Sequence, residues 1–415
     1  MKISLLIIAS EILEAKIQDL NVHTLAKLLK SQNHTLNKVS IVADKETLII
    51  DALKELSDSD FIITSGGMGP TPDDLTKSCL AKFFDSTLQK SPHSIEIAKK
   101  NYENFGRTIP EDHGYMFIPN KAEALFNPQG FAPGLLFKEN NLTLISLPGV
   151  PREYKSMLEL YLPRLLQKAD TQIFDFIIRT RGIGEEKIFS QLDPKLWDKL
   201  SLYGSVASLP HLYGVDITIR LKDQTSEGIE NKKKELHAFI KSHPIQEFVW
   251  HIGDESLEEC IINKARSLKM NFGFAESATA GLCSNRITNI NGSSQVFYGS
   301  VICYHTDIKT NLLKVSPSTV EEFDVVSEQV AQEMARGLRE LYPIDVAISI
   351  TGYAGPHSKE DEIPIGTVCV GVSSSQGETT HKFQFRGDRY RLKENFATIA
   401  LFQLLEALEK LAPHC

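Results

Sequence analysis

The sequence predicts an α/β multidomain protein, and three observations carry that expectation. Short apolar runs alternate with amphipathic stretches from Ile3 to Leu166, the alternation breaks at Thr171, and it resumes near Leu257. Such alternation builds a parallel sheet covered by helices on both faces. A chain of 415 residues also exceeds one domain at ~100–200 residues each. The expected division is an α/β unit over 1–168, a small α+β unit over 171–245 and a second α/β unit over 255–415.

In the first unit Ile3–Ala9 reads as a buried strand rather than a leader, because the run is short and meets Glu11 with no small-x-small site. Asn21–Gln32 reads as a helix with Val22, Leu25, Leu28 and Leu29 on one face. Asn37–Val42 is strand-like, Thr47–Leu56 helical, Asp60–Ser65 a strand entering a glycine loop, and Asp73–Phe84 helical. The run Leu142–Leu147 precedes Pro148-Gly149-Val150-Pro151, and a helix over Arg152–Leu166 closes the unit. In the middle, Ile173–Arg179 and Gly214–Leu221 alternate like half-buried strands, while Glu185–Leu192 and Ser226–Ser242 look helical. In the last unit Leu257–Leu268 is an amphipathic helix, Asn271–Ala275 a strand, Ser300–Tyr304 strand-like and Ser327–Leu341 helical. Val346–Ile350 is a strand, Gly366–Val372 and Thr380–Phe385 pair as strands, and Tyr390–Leu411 is a terminal helix.

Composition excludes several classes. Hydrophobic residues are 42% and charged residues 24%, a globular balance. With 45 Lys+Arg against 53 Asp+Glu the net charge is −8, which argues against a coat for nucleic acid or anionic membrane. None of Cys79, Cys260, Cys283, Cys303, Cys369 and Cys415 forms a C-x-x-C pair, and scattered thiols suit a reducing cytoplasm. No apolar stretch approaches the ~18 residues of a membrane span. The expectation is a cytoplasmic protein with a small-molecule partner and neither nucleic acid nor membrane.

Three loops carry candidate chemistry. Thr64-Ser65-Gly66-Gly67-Met68-Gly69-Pro70-Thr71-Pro72-Asp73-Asp74 leaves a strand and opens a helix. Its glycines allow close backbone approach, and free N–H groups at a helix start favour a phosphate. Asp73 and Asp74 would repel that phosphate unless a divalent cation lay between them. The competing reading is a tight turn with Asp caps. Glu276-Ser277-Ala278-Thr279-Ala280-Gly281 also joins a strand to a helix, where a serine can be a nucleophile beside N–H oxyanion donors. Tyr304, His305 and Lys309 are the nearby ionisable candidates for its base, and the competing reading makes Ser277 or Thr279 a helix cap. Thr351-Gly352-Tyr353-Ala354-Gly355-Pro356 suggests a cleft shared with the second loop, joined by Gly366-Thr367 and by Arg389 as a phosphate ligand.

Read together, these segments resemble the competence/damage-inducible protein A (CinA) family. Ser65–Thr76 is similar to its GGLGPTxDDxT signature with Met68 for leucine, and Asn127–Gly134 is similar to NPxGxAPG. Leu147–Glu153 is similar to LPGVPxE, Ala275–Gly281 to AESCTGG and Gly352–Pro356 to GIAGP. The resemblance implies a molybdopterin-biosynthesis-like three-layer N-terminal domain, a KH-type middle domain, and a C-terminal domain like a nicotinamide mononucleotide (NMN) amidohydrolase, in a homodimer. It implies Ser277 as nucleophile, Lys309 as base, and Tyr304 and Thr351 as further catalytic groups. It also implies substrate contacts from Glu276, Ala278, Thr279, Gly281, Gly352, Gly355, Gly366, Thr367 and Arg389. In the N-terminal domain it implies a nucleotide pocket of Glu11, Asn21, Gly66, Gly67, Gly69, Thr71 and Asn127, with Asp73 and Asp74 on a metal. That pocket hydrolyses ADP-ribose in some members, which is the alternative function here. The amidase needs no cofactor.

The chain departs from the pattern at chemical positions. The family's GDE reads Ala9-Ser10-Glu11, which lacks an acid; Ala278 replaces a cysteine, Ala280 a glycine, and Lys393 the last arginine of GDRxxxR. Alanine tolerates positive φ poorly, so Ala280 either takes an ordinary conformation or carries strain. A nucleic-acid role through the middle is disfavoured, because Gly182-Ile183-Gly184 is followed by Glu185 and Glu186, which repel a phosphate backbone.

Overall fold

The computed structural model describes all residues except 112, 140, 212, 357–362 and 413–415. Cys415 therefore lies outside the described residues. The chain forms two compact units: Met1–Phe176 with Leu192–Ala207 and Thr218–Gln246, and Ile177–Gln191 with Ser208–Ile217 and Glu247–Cys415.

The first unit holds β1 (Ile3–Ile8), β2 (Lys38–Val42), β3 (Phe61–Ser65), β4 (Leu88–Lys90), β5 (Phe117–Pro119), β6 (Glu123–Leu125), β7 (Gly134–Glu139) and β8 (Leu142–Leu147). Its main sheet has the order β2-β1-β3-β8-β7-β6, and β4 and β5 form a separate ribbon. Strands β2, β1, β3 and β8 are parallel, whereas β7 and β6 are antiparallel. The expectation of a parallel sheet is corrected at this edge. Glu139 pairs with Leu142, and a connection that short closes only a hairpin.

Every residue of β1 and β3 is buried, as continuous apolar runs require. Leu6, Ile8 and Ile62 pack on one face with Leu53, Leu80 and Ala98, while Leu5, Ile7 and Ile63 pack on the other with Leu25, Leu29 and Met157. The period of two along each strand thus feeds two cores. The helix expected from Asp73 starts only at Thr76, which leaves both aspartates in the loop.

The strands β9 (Gln172–Thr180), β10 (Gly204–His211), β11 (Gly214–Asp223) and β12 (Val249–Ile252) form a sheet of order β10-β11-β9-β12. The second unit contains β13 (Phe272–Glu276), β14 (Phe297–Ile302), β15 (Val346–Gly352), β16 (Thr367–Ser374) and β17 (Gly377–Gln384), ordered β14-β13-β15-β16-β17. The first three of these are parallel and the last two antiparallel. Helices Leu257–Leu268, Leu282–Thr288 and Arg389–Lys410 cover Phe272, Phe274, Ile348 and Ile350. Helix Glu328–Leu341 covers the opposite face through Val330, Met334 and Leu338 against Ala275 and Ala347. Because β13, β14 and β15 run in parallel, the loops after Glu276, Ile302 and Gly352 emerge at one edge, where α/β sites form. Among the described residues no helix is long and apolar enough to cross a membrane.

Gly337 in the helix Glu328–Leu341 shows how close this layer lies. A Cβ there would stand 1.8 Å from the Leu313 carbonyl oxygen. Alanine in a helix interior is ordinarily better than glycine by about 1 kcal/mol. Here the clash reverses the sign, so Gly337→Ala is expected to destabilise the protein by about 2 kcal/mol, within the range for overpacking. A denaturation midpoint equal to or above that of the parent would contradict this packing.

Candidate functional site

In the second unit the key loop begins where β13 ends. Glu276 is fully buried, and its carboxylate accepts from the N–H groups of Gly281 (2.9 Å), Cys283 (3.1 Å) and Ser284 (3.0 Å) and from the Ser284 hydroxyl (2.6 Å). A helix start leaves orphan N–H groups and favours negative charge, and this one carboxylate meets both demands. Glu276 is therefore not a substrate ligand as expected; it closes the loop. The same bonds leave no capping role for Ser277. The loop turns through Ala280 at φ 52° and Gly281 at φ 95°, so Ala280 carries strain.

Ser277 is tied at its N–H to the Ile350 carbonyl, and its Oγ lies 3.0 Å from Lys309 Nζ. Lys309 is 2% exposed, from the helix Thr306–Asn311, and Nζ also donates to the Cys303 carbonyl at 2.6 Å and the Tyr304 carbonyl at 3.4 Å. Among the described residues no carboxylate pairs with it. Burial pushes the Lys309 ammonium pKa down. The neighbouring Cys303 thiol is pushed up to about 11 by burial, so it stays neutral. The reading of Lys309 as a solvated surface charge is excluded by this placement.

A cleft of about 210 Å³ opens over the pair. Ala278, Tyr304, Thr351, Gly352, Gly355 and Arg389 line it, as their segments promised. Their bonding differs from expectation in two cases. The Thr351 hydroxyl donates to the Val325 carbonyl at 2.7 Å, so it is not a free oxyanion donor. Tyr304 lies beyond the end of β14, and its hydroxyl accepts from Arg389 at 3.1 Å rather than meeting the Ser–Lys pair. Arg389 also donates to the Gly355 carbonyl and is the first residue of its helix, which Asp388 caps. Thr279, Gly281, Gly366 and Thr367 do not line the cleft. The Thr367 hydroxyl is held by the Pro364 carbonyl and Gln384 at the root of β16. Sequence reasoning missed Thr306, Val325 and Val326 as wall residues, whereas Tyr353 and Ala354 belong to the loop it placed at the cleft.

In the first unit a cleft of about 500 Å³ lies at the carboxyl ends of β1, β3 and β8. Glu11, Asn21, Gly66, Gly67, Gly69, Asp73 and Asp74 line it; Thr71 and Asn127 do not. Asn127 is buried and bonds the Ala132 carbonyl and Glu153, so it shapes the loop behind the wall. Asp74 turns back on its own loop, accepting from Gly69 N–H (2.8 Å) and from the N–H (2.9 Å) and hydroxyl (2.5 Å) of Thr71. That return explains why the helix starts late. Hydrogen bonding from the Thr71 side chain and the backbone holds the exposed Asp73 carboxyl below the usual carboxylate range, so Thr71 serves both aspartates. Asn21 donates to Ser65 Oγ and the Gly149 carbonyl, both at 2.9 Å, while its buried Oδ1 has no partner. Asp44, Tyr115, Phe131 and Glu153 also line this cleft and were not foreseen.

Two family models match the chain, a probable molybdopterin binding domain over residues 4–167 and a CinA C-terminal domain over residues 254–408. A putative competence-damage inducible protein of Halothermothrix orenii is 36% identical over 388 residues, 92% of each chain. A CinA-like protein of Thermotoga maritima is 30% identical over 410 residues, 98% of each. The chain belongs to the CinA family. Among solved structures, a competence or damage-inducible protein from Enterobacter asburiae is 30% identical, covers 37% of this chain and 99% of its own, and has a TM-score of 0.36.

Within this CinA protein the left-handed turn at Ala280 is held against the preference of its side chain. The left-handed conformation costs a non-glycine residue roughly 1–2 kcal/mol. Glycine gains back less than this, because it also frees the unfolded chain. Ala280→Gly is therefore expected to stabilise the protein by about 0.5–1 kcal/mol, read as a raised denaturation midpoint. A lowered midpoint would show that the turn is not strained.

Proposed function

We propose that the cleft of the CinA domain hydrolyses a carboxamide, with NMN as substrate and nicotinate mononucleotide and ammonia as products. The observation that carries this reading is the contact of 3.0 Å between Ser277 Oγ and a buried Lys309 amine. A serine at its ordinary pKa is a weak nucleophile and needs a base within hydrogen-bond reach. Lys309, whose charged form burial disfavours, takes the Ser277 proton when in its neutral form, as Oγ attacks the amide carbon. The N–H group of Ala278, which lines the cleft and has no partner among the described residues, receives the oxyanion. Lys309 then passes the proton to the leaving nitrogen, ammonia departs, and a water activated by the same amine releases the acyl group. Arg389, already fixed to Gly355 and Tyr304, offers its remaining donors to the phosphate.

Ser277→Ala is expected to abolish ammonia release from NMN. Lys309→Met, which keeps the stem and removes the base, is expected to lose ~10²–10⁴-fold in kcat, the usual worth of general acid–base catalysis. Both should keep the parent's melting temperature within a few degrees. Parent-like turnover in either variant, or a parent that releases no ammonia, refutes the reading.

The pH profile tests the role of Lys309 separately. Only the neutral amine is a base, and burial lowers its pKa from the ordinary 10.5. The ratio kcat/KM should therefore rise with pH and level off at an inflection below 10.5. Lys309→Met should erase that rise. A rise whose midpoint stays at or above the ordinary lysine value would mean that the amine is not tuned for the task.

A second reading concerns the N-terminal cleft and has its own observation, the unpartnered Asn21 Oδ1 in its wall. We propose that this cleft takes a nucleotide diphosphate such as ADP-ribose. A buried acceptor without a partner is costly, and a ligand hydroxyl or amine would relieve it. Because Asp74 is occupied within the loop, a divalent cation there would rest on Asp73 and draw its other oxygens from phosphate and water. Titration of ADP-ribose into the protein with Mg²⁺ should show binding that Asn21→Leu weakens at least tenfold, and unchanged binding would refute it. For the middle strands β9–β12 with the helix Ser226–Ser242, we retain a KH-type unit as the reading.

A further inference from the structure

We propose that Tyr353 and Asp324 form a recognition pair in the Ser277–Lys309 cleft, selecting substrates whose amide sits on a cationic ring of the N-alkylpyridinium type. The inference rests on the amidase reading and specifies what that site selects. Tyr353 is one of the two tyrosines that line the cleft. Its hydroxyl donates to both carboxylate oxygens of Asp324, at 3.1 and 3.2 Å. Its ring packs against the cluster of Val326, Ala331, Ile363 and Cys369. Packing and hydrogen bonding together fix the side chain of this cleft-lining residue.

Asp324 is held as firmly. It is 8% exposed and takes φ 72°, a conformation that non-glycine residues avoid. Its carboxylate accepts from the Val325 N–H, its carbonyl from the Ser327 hydroxyl at 2.8 Å, and its N–H donates to the Val320 carbonyl at 3.0 Å. The next residue, Val325, lines the cleft and accepts from Thr351, so the carboxylate stands directly behind the wall.

The electrostatic consequence follows from these positions. The face of an aromatic ring is negative and attracts cations. A phenol donating to a carboxylate is richer in electrons than a free one, and the carboxylate adds its own charge behind the ring. The Tyr353 proton stays on the phenol, whose pKa burial and Asp324 push up to about 12. The cationic Arg389 also lines the cleft. A ligand with a positive ring and a negative phosphate would find a partner for each, and a neutral ring would gain less. The family pattern has isoleucine at this position, which offers no aromatic face to a cation.

The test separates ring charge from ring shape. In the Ser277→Ala background, which prevents turnover, binding of NMN is compared by calorimetry with binding of benzamide riboside 5′-phosphate. This analogue has the same amide, ribose and phosphate on a neutral ring. The Ser277→Ala protein is expected to prefer NMN by about tenfold. Adding Tyr353→Leu should bring the ratio close to one, Asp324→Asn should reduce it several-fold, and Tyr353→Phe should retain most of it. A ratio unchanged by Tyr353→Leu overturns the proposal, as does equal binding of the two ligands before any change at 353, or binding of neither. Should Tyr353→Leu fail to fold, the Tyr353→Phe and Asp324→Asn arms decide, because they preserve the shape. Ammonia release from NMN without charge selectivity would refute only this inference. Charge-selective binding by a protein that never releases ammonia would refute only the amidase reading.

Discussion

The constraint that organises the CinA domain is the burial of a lysine amine that no carboxylate opposes among the described residues. Such burial is tolerable only if the group sheds its proton or has all its donors met. Here the two N–H donors of the neutral amine are met by the Cys303 carbonyl and more distantly by the Tyr304 carbonyl, which leaves its lone pair for the Ser277 hydroxyl. A carboxylate within reach would restore the charge and remove the base. The nearest in sequence to Ser277 is Glu276, and its oxygens are occupied by the helix start at Gly281, Cys283 and Ser284. The loop thus solves two problems with one group. It caps a helix, and it keeps a buried acid from pairing with the amine. The strain at Ala280 follows, since the chain must turn sharply for a strand residue to reach N–H groups five to eight residues on.

Both units place their clefts by the same rule despite unrelated loops. In each, parallel strands deliver their following loops to one edge, and antiparallel hairpins are confined to the far side of the sheet. In the first unit β1, β3 and β8 supply Glu11, Gly66 and Gly149; in the second β13 and β15 supply Ser277 and Gly352. Parallel strands buried on both faces are held in register by the packing of their side chains against the helices on either side. The loop positions inherit that rigidity, which is what a contact of 3.0 Å between side chains 32 residues apart requires.

Legibility in the sequence tracked this physics. Strands β1, β3 and β15 were readable because burial on both faces writes them as unbroken apolar runs. The antiparallel edge was not, because a hairpin and a crossover use similar strands and differ only in the link. The Ser277 and Lys309 positions were legible from motif. The bonding of Glu276, Thr351 and Asp74 was not, because each has a side chain suited to a ligand and the fold satisfies it internally. Asp74 shows the reason most clearly. An aspartate before a helical run reads as a cap reaching forward, yet it reaches back to Gly69 and Thr71. Val325 and Val326 follow no pattern, because the wall they form with Tyr353 is assembled from segments that meet only in the folded sheet.

The departures from the family pattern are informative for the same reason. Position 10 lacks the expected acid, which by itself would leave the N-terminal cleft less negative. The Ser10 N–H and hydroxyl both donate to Asp44 Oδ2 at 2.8 Å, and Asp44 lines the same cleft. Serine at this corner therefore anchors a carboxylate that arrives from the end of β2 instead of carrying one itself. Both of these bonds fall on Oδ2. The cleft therefore keeps a carboxylate at this corner although position 10 carries none, and Ser10 fixes its orientation through two donors.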